Sequence, residues 1–271
     1  MQWRKMKIDY RETTNDLLKR IDIHSQYGSK NIDEWMLDII KLEKGMKILD
    51  VGCGAGKQCF SYHQFLQGEA DITGGDVNLE LLSQAKLENE KRGTGMEFIE
   101  LDFNKRFPMN EDVFDFESCC FAIYYAEDIP YTIREKHRVL KPGGRLFSSG
   151  PMPANKQFFY EIIREATGKV IPPMPGSSRY STQILDAMKS TFREVDIHIF
   201  ENPLVFESVE PFLAYTRASL SEDRKLWSSF FETKDDFENI MNAITVTSEK
   251  RLKQDGKLIM TKVVGGFIAT K

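Results

Sequence analysis

Between Met46 and Ser149, short apolar runs alternate with stretches of helical length, and that alternation leaves the chain few architectures. Met46-Lys47-Ile48-Leu49-Asp50-Val51 is an apolar run that stops at glycines, the pattern of a buried strand. Residues 57–67 follow as a helix, 71–76 as a second strand and 79–92 as a clear helix. Strands at 96–101 and 113–121, a helix over 129–140 and a fifth strand at 144–149 complete the series. Strands separated by helices of this length pair in parallel through right-handed crossovers and carry helices on both faces. The expected fold is doubly wound α/β.

The flanks are less regular. Residues 1–43 read as helical, with Leu17, Leu18 and Ile21 in one amphipathic segment and Trp35, Met36, Ile39 and Ile40 in another. A polar loop from His24 to Lys30 is expected between them. After residue 150 we expect a helix over 182–189 and a strand over 192–200 with Val195, Ile197 and Ile199 on one face. Helices near 209–217, 222–231 and 235–252 follow, and then a closing strand at 257–270 that bends at Gly265-Gly266. Segments 154–180 and 202–254 read as insertions between strands. The division is a helical segment, 1–43, ahead of one α/β domain, 44–271.

Composition sets outer bounds. The chain has 271 residues, 37 Lys+Arg against 41 Asp+Glu and a net charge of −4, so nothing overall attracts a polyphosphate. No nucleic-acid partner is expected. The longest nearly uncharged stretch, Ser118 to Ala126, falls far short of the roughly 20 residues that span a bilayer. The basic amino terminus has no apolar stretch behind it, which argues against a secretory signal. Cys53, Cys59, Cys119 and Cys120 form no disulfide framework and read as buried thiols. A cytoplasmic location follows as the expectation.

The informative turn is Asp50-Val51-Gly52-Cys53-Gly54-Ala55-Gly56. Its glycines permit positive φ and let a ligand touch bare backbone, while the next helix offers unpaired N–H groups. Two cofactors compete for such a turn. The dinucleotide fingerprint G-x-G-x-x-G would need glycine where Lys57 stands. Asp50, inside the strand, would repel a pyrophosphate but accept an ammonium, so an amino-acid tail fits better. Both readings want an acid at the end of the second strand, and Asp76 stands there.

With these residues the sequence resembles the class I S-adenosylmethionine-dependent methyltransferases. The Asp50–Gly56 stretch matches that family's first motif without a gap, and the stretch from Arg138 to Leu146 matches its turn into the fifth strand. The resemblance covers residues 44–150. It implies a Rossmann-like, seven-stranded, mostly parallel sheet ending in an antiparallel hairpin, with the amino-terminal helices as a lid. It implies cofactor contacts from Asp50, Gly52, Cys53, Gly54, Gly56, Asp76, Val77, Asp102, Phe103 and Cys119. Asp76 would take the ribose, and Asp102 with Phe103 the adenine. Asn202-Pro203-Leu204 and Phe212-Leu213 echo the small-molecule branch typified by quinone-biosynthesis enzymes. Glu117 departs from the pattern, standing where the family places an apolar residue.

Missing motifs narrow the chemistry. The fourth strand ends without an Asn-Pro-Pro-Tyr-like segment, and Cys120 is not preceded by proline. Neither amino-adenine methylation nor a cysteine nucleophile is therefore expected. Ser148-Ser149-Gly150-Pro151 supplies no carboxylates, so no metal is expected. The expected activity is methyl transfer from S-adenosylmethionine to N, O or C of a small organic molecule by in-line displacement, with S-adenosylhomocysteine as product. The alternatives are an NAD(P)-dependent oxidoreductase and a cofactor-binding module without turnover. Tyr124, His24 and Tyr27 are the candidate catalytic residues, a histidine being a base near neutral pH. Tyr10, Tyr124, Tyr125, Arg179 and Tyr180 are the candidate acceptor contacts. Packing or solvated-surface roles are the alternative for each. His137 reads as a helix-surface residue and His198 as an outward strand position.

Overall fold

The computed structural model describes residues 14–169, 175–222 and 233–271. Helices α1 (Thr14–Tyr27) and α2 (Ile32–Ile40) come first. The alternating region is β1 (Lys47–Val51), α3 (Lys57–Phe65), β2 (Asp71–Asp76), α4 (Leu79–Arg92), β3 (Glu97–Glu100), β4 (Phe114–Cys120), α5 (Ile129–Val139) and β5 (Leu140–Pro151). Beyond it lie α6 (Gln157–Thr167) and α7 (Pro175–Ser178), which passes through a π-helical turn (Arg179–Ile184) into α8 (Leu185–Thr191). The chain closes with β6 (Glu194–Phe206), α9 (Val209–Glu222), α10 (Lys234–Asp255) and β7 (Leu258–Thr270).

The helices start where side chains can replace the missing intrahelical acceptors. Asn31, Asn78 and Asp128 each accept backbone N–H bonds at the starts of α2, α4 and α5. Thr233 and Asp236 bond reciprocally at the start of α10. Gly93 closes α4 in the left-handed region at φ 63°.

The strands form one sheet in the order β3-β2-β1-β4-β5-β7-β6. Strands β1 to β5 run parallel, and β7 is antiparallel to both of its neighbours. The order reverses between β1 and β4, so a crevice opens at the carboxyl ends of those two strands. Because side chains alternate across a strand, each strand feeds two cores. Leu49, Val51, Cys119 and Leu146 pack with Ile133 of α5 and Met188 of α8. On the other face, Ile48, Phe116 and Phe147 pack with Met36, Ile40, Cys59 and Leu82. Each such burial contributes about 1.5–3 kcal/mol.

A third core has its own support. Strand β5 pairs with β7 only from Arg145↔Thr270 to Pro151↔Val264, whereas β6 pairs with β7 along its whole length. The remainder of the hairpin projects past β5 as a two-stranded arm. Leu204, Phe206, Leu258 and Met260 on that arm are covered by Ile23 of α1, Phe159 of α6, Phe212 of α9 and Met241 of α10. The amino-terminal helix and the insertion helices thus share one core, which includes Tyr215 and much of the aromatic content of these insertions.

Several expectations change. Helix α1 continues to Tyr27, so His24 sits in its last turn and not in a loop. Strand β6 runs to Phe206, which puts Asn202 and Pro203 inside a strand and starts the second insertion later than residue 202. Pro203 is tolerated because β6 is the edge strand, where no sheet partner asks for its N–H. Ile197 and Ile199 share one face of β6, as expected, and that face is 46% and 45% exposed at these two residues. His137 is partly buried against the Phe192 ring. Residues 223–231 of the expected helix, with Trp227, Phe230 and Phe231, lie outside the described residues, as does Tyr10. Among the described residues, no helix is long and apolar enough to cross a membrane.

Candidate active site

The glycine turn hangs from the end of β2. Gly52 N and Cys53 N donate to the Gly75 carbonyl at 2.7 and 3.1 Å, and Gly54 N donates to Asp76 Oδ2 at 2.8 Å. Gly52, Gly54 and Gly56 have φ of 75°, 56° and 83°, a region that side chains other than glycine rarely enter. Their surroundings differ. A Cβ on Gly52 would strike Ala122 at 2.7 Å, and one on Gly56 would strike Phe60 at 2.9 Å. A Cβ on Gly54 would meet nothing closer than Leu81 at 3.8 Å. The turn is therefore packed at both ends and open over its middle glycine. Helix α3 begins at once, with no side-chain cap on its first N–H groups. This is a cradle for an anionic or zwitterionic tail.

Asp76 ends β2 with Oδ2 on Gly54 N and Oδ1 accepting from Asn78 N at 2.8 Å. Each oxygen keeps a lone pair for a hydroxyl donor. Val77, beside it, is 60% exposed. Asp102 follows β3 and accepts from Asn104 N at 2.9 Å. Burial raises its pKa, but the Asn104 N–H and Lys105, 3.2 Å away, outweigh it and hold the carboxyl below its ordinary range. Phe103 packs its ring on the first core, and its carbonyl accepts from Thr132.

Two residues of the expected cofactor set, Asp50 and Cys119, are buried. Asp50 is 1% exposed, with Oδ1 accepting from the Ser118 hydroxyl at 2.6 Å and Oδ2 from the Cys59 thiol at 3.6 Å. Through these two bonds it ties the turn to β4 and α3. Burial pushes its pKa up to about 6, against the pull of Ser118 and Cys59. Cys119 is sealed in the first core on the α5 side of β4, where burial pushes its thiol up to about 12. Alternation along β4 places it on the face that packs against α5. Cys53 stays in the turn, buried, with its thiol on the Gly54 carbonyl.

At the end of β4, Tyr124 and Tyr125 form a helical turn, with ring centroids 4.6 Å apart. Arg179 is 6% exposed and donates from Nη2 to the Ala126 carbonyl at 2.6 Å, leaving Nη1 without a partner. Burial alone lowers its pKa. Tyr180 is a core residue. It stacks on Phe267 at 4.4 Å and donates its hydroxyl to the Ser148 carbonyl. Tyr27 packs on Phe206 in the third core. The His24 Nδ1 is 3.0 Å from the Lys262 ammonium. Burial, then Lys262, Lys156 and Arg20, lower the His24 pKa well below the usual value, so its ring is neutral.

Three residues at this end of the sheet escaped sequence reasoning. Phe121 takes φ 55° directly after β4, and Lys156 takes φ 61° at the start of α6. No sequence signal marks either. Lys262 had one, as a charged residue inside the otherwise apolar run that became β7. Among the described residues, no group of three or more His, Cys, Asp or Glu is placed to hold a metal ion.

Comparisons with known proteins fit this geometry. A family model described as a methyltransferase domain matches residues 42–211. The ubiquinone biosynthesis O-methyltransferase of Aliivibrio fischeri (strain MJ11) is 31% identical over 129 residues, covering 47% of this chain and 54% of that protein. The chain thus spans about half the length of the curated relatives it matches. Among solved structures, the YcgJ protein of Bacillus subtilis superposes with a TM-score of 0.56 at 16% identity, over 88% of this chain and 97% of that one. Phosphoethanolamine N-methyltransferase 2 of Haemonchus contortus, bound to phosphomonomethylethanolamine and S-adenosylhomocysteine, gives 0.54 at 15% identity, over 94% and 56%. These structures share the fold.

Proposed function

The chain belongs to the methyltransferase-domain family, and from that premise we propose that it transfers a methyl group from S-adenosylmethionine to N, O or C of a small organic acceptor. The observation that carries the proposal is the cradle: three left-handed glycines, open only over Gly54, with the Asp76 carboxylate at their edge. The bound cofactor would supply a methyl already activated on a sulfonium. What remains for the protein is alignment and exclusion of water, with a base where the acceptor carries a proton. The Gly52–Gly56 backbone and the first turn of α3 would hold the amino-acid tail, Asp76 the ribose hydroxyls, and Asp102 with Phe103 the adenine. Asp50 acts as a positioning residue that fixes the turn to β4 and α3 through Ser118 and Cys59. Tyr124, Tyr125 and Arg179 line the acceptor side, and the helices before residue 44 serve as the lid. The ubiquinone biosynthesis relative supports a small organic acceptor.

Calorimetric titration with S-adenosylhomocysteine and NAD tests the cofactor. S-adenosylhomocysteine is expected to bind and NAD to leave no signal; tight NAD binding alone would end the proposal. Asp76→Ala removes ribose bonds worth roughly 1.5–3 kcal/mol each and the anchor of Gly54. Its dissociation constant for S-adenosylhomocysteine should rise at least tenfold. Formation of S-adenosylhomocysteine from S-adenosylmethionine, when a metabolite extract is supplied, separates an enzyme from a module without turnover.

A further inference from the structure

Past the carboxyl end of the sheet, on the β5–β7 side, basic side chains from three elements converge. Arg20 and His24 lie one turn apart on α1, Lys156 opens α6, and Lys262 lies on β7. The Lys262 ammonium is 3.0 Å from His24 Nδ1 and 5.7 Å from the centre of the Phe121 ring. Lys156 sits 5.6 Å over the rings of both Phe159 and Tyr215, and the His24 ring lies 5.4 Å from the same Tyr215. The backbone holds this arrangement tightly. Lys156 N donates to the Thr261 carbonyl at 3.0 Å, Val263 N donates to Asn155 Oδ1 at 2.9 Å, and Met152 N donates to the Val263 carbonyl at 3.1 Å. Phe121 and Lys156, both in the left-handed region, flank Lys262. Backbone strain at two non-glycine residues costs of order 1–3 kcal/mol each and collects where function requires it.

Cations crowd around Lys262. Burial, followed by Lys156, Arg20 and Lys57, pushes the Lys262 pKa down to about 7. Asp33 is the one carboxylate among the groups acting most strongly on Lys262, and it is already bound to Lys57 at 2.8 Å. Gathering like charges in a partly buried place is unfavourable on its own, and an incoming anion reverses the sign of that energy. The location matters equally. Phe121 follows β4 at the mouth of the crevice, so the cluster lies on the acceptor side of the glycine cradle.

We propose that Lys262, His24, Lys156 and Arg20 form an oxyanion-binding pocket that receives a carboxylate or phosphate group carried by the methyl acceptor. The proposal rests on the methyltransferase reading for the word acceptor, and on this cluster alone for the anion. An acceptor so held would present its nucleophilic atom toward the crevice, with Phe121 as the wall between the two.

The full-length protein is titrated separately with S-adenosylhomocysteine, inorganic phosphate and benzoate, first as wild type and then as Lys262→Met, a replacement of similar length without charge. Wild type is expected to bind phosphate or benzoate, the tighter of the two identifying the kind of oxyanion. Lys262→Met should weaken that anion at least tenfold and leave the S-adenosylhomocysteine constant within about twofold. Without anion, the thermal midpoint of Lys262→Met should equal or exceed that of wild type, because an unfavourable buried charge has been removed. Lys156→Met should reproduce the loss from the other wall of the pocket if Lys262→Met fails to fold. The proposal is overturned if wild type binds neither anion, if the variants bind it as tightly as wild type, or if a folded Lys262→Met melts several degrees lower, which would make the lysine structural. Failure to bind S-adenosylhomocysteine would instead count against the methyltransferase reading, and the anion titrations would still decide the pocket.

Discussion

Glu117 and Lys136 face each other at 2.6 Å with neither side chain exposed. The residue that departs from the family pattern is thus an ion pair inside the first core, and the assignment of β4 stands. Burial pushes the Glu117 carboxyl up, and the ammonium pulls it back. Removing one partner leaves an isolated buried charge, so Lys136→Met should lose about 3–5 kcal/mol in urea unfolding. Glu117→Leu with Lys136→Met should restore most of that loss; equal losses in the single and double variants would show that the pair is not the cause. Asp50 gives a different signature. Its folded pKa of about 6 lies above the ordinary 3.8, so its contribution is fully present below about 3.8 and disappears as pH rises through 6. Asp50→Asn cannot ionise. Each tenfold change in proton affinity is worth about 1.4 kcal/mol, so the stability difference between variant and wild type should move about 2–3 kcal/mol in favour of the variant from about pH 4 to about pH 7. A flat difference would mean that Asp50 does not titrate in that window.

At the scale of elements, Asn202 explains why the turn between α1 and α2 is placed as it is. From within β6, its Oδ1 accepts from Ser29 N at 3.1 Å and Lys30 N at 3.2 Å, and its Nδ2 donates to the Lys30 carbonyl at 3.0 Å. Gly28 bridges Leu204 alongside, and a Cβ at Gly28 would strike the His24 carbonyl at 2.7 Å. The Asn202-Pro203-Leu204 stretch is therefore the anchor of the amino-terminal helices, with the proline's missing N–H turned to the sheet edge. Asn202→Ala removes three bonds to partly buried backbone, each worth about 0.5–1.5 kcal/mol. Hydrogen exchange at Ser29 and Lys30 should accelerate roughly tenfold or more, while amides in β1 keep their protection. Unchanged exchange at Ser29 and Lys30 would show that the turn is held by other contacts.

Over the whole molecule, local chemistry and long-range pairing divided the information. The strand–helix alternation, the left-handed glycines after Val51 and the acid ending β2 were legible because each is a property of neighbouring residues. Helix ends were legible only where a cap announced them: Asn78 and Gly93 bound α4 as expected, whereas no breaker stops α1 at His24. The face that Cys119 takes in the first core followed from strand alternation once the register was known, yet the burial of Asp50 did not. That burial depends on Ser118, 68 residues away along the chain, arriving opposite it in β4. The hairpin arm and its helical cover were likewise invisible, since β6 and β7 are alike in sequence whether they end with the sheet or project past it. By itself, then, the sequence determined the kind of sheet, the place where the chain opens for a ligand and the family to which that opening belongs. Only the tertiary structure decided what surrounds the opening. Lys262 and His24 are 238 residues apart and carry no mutual signal, and they meet only because α1 packs against the arm that β6 and β7 form.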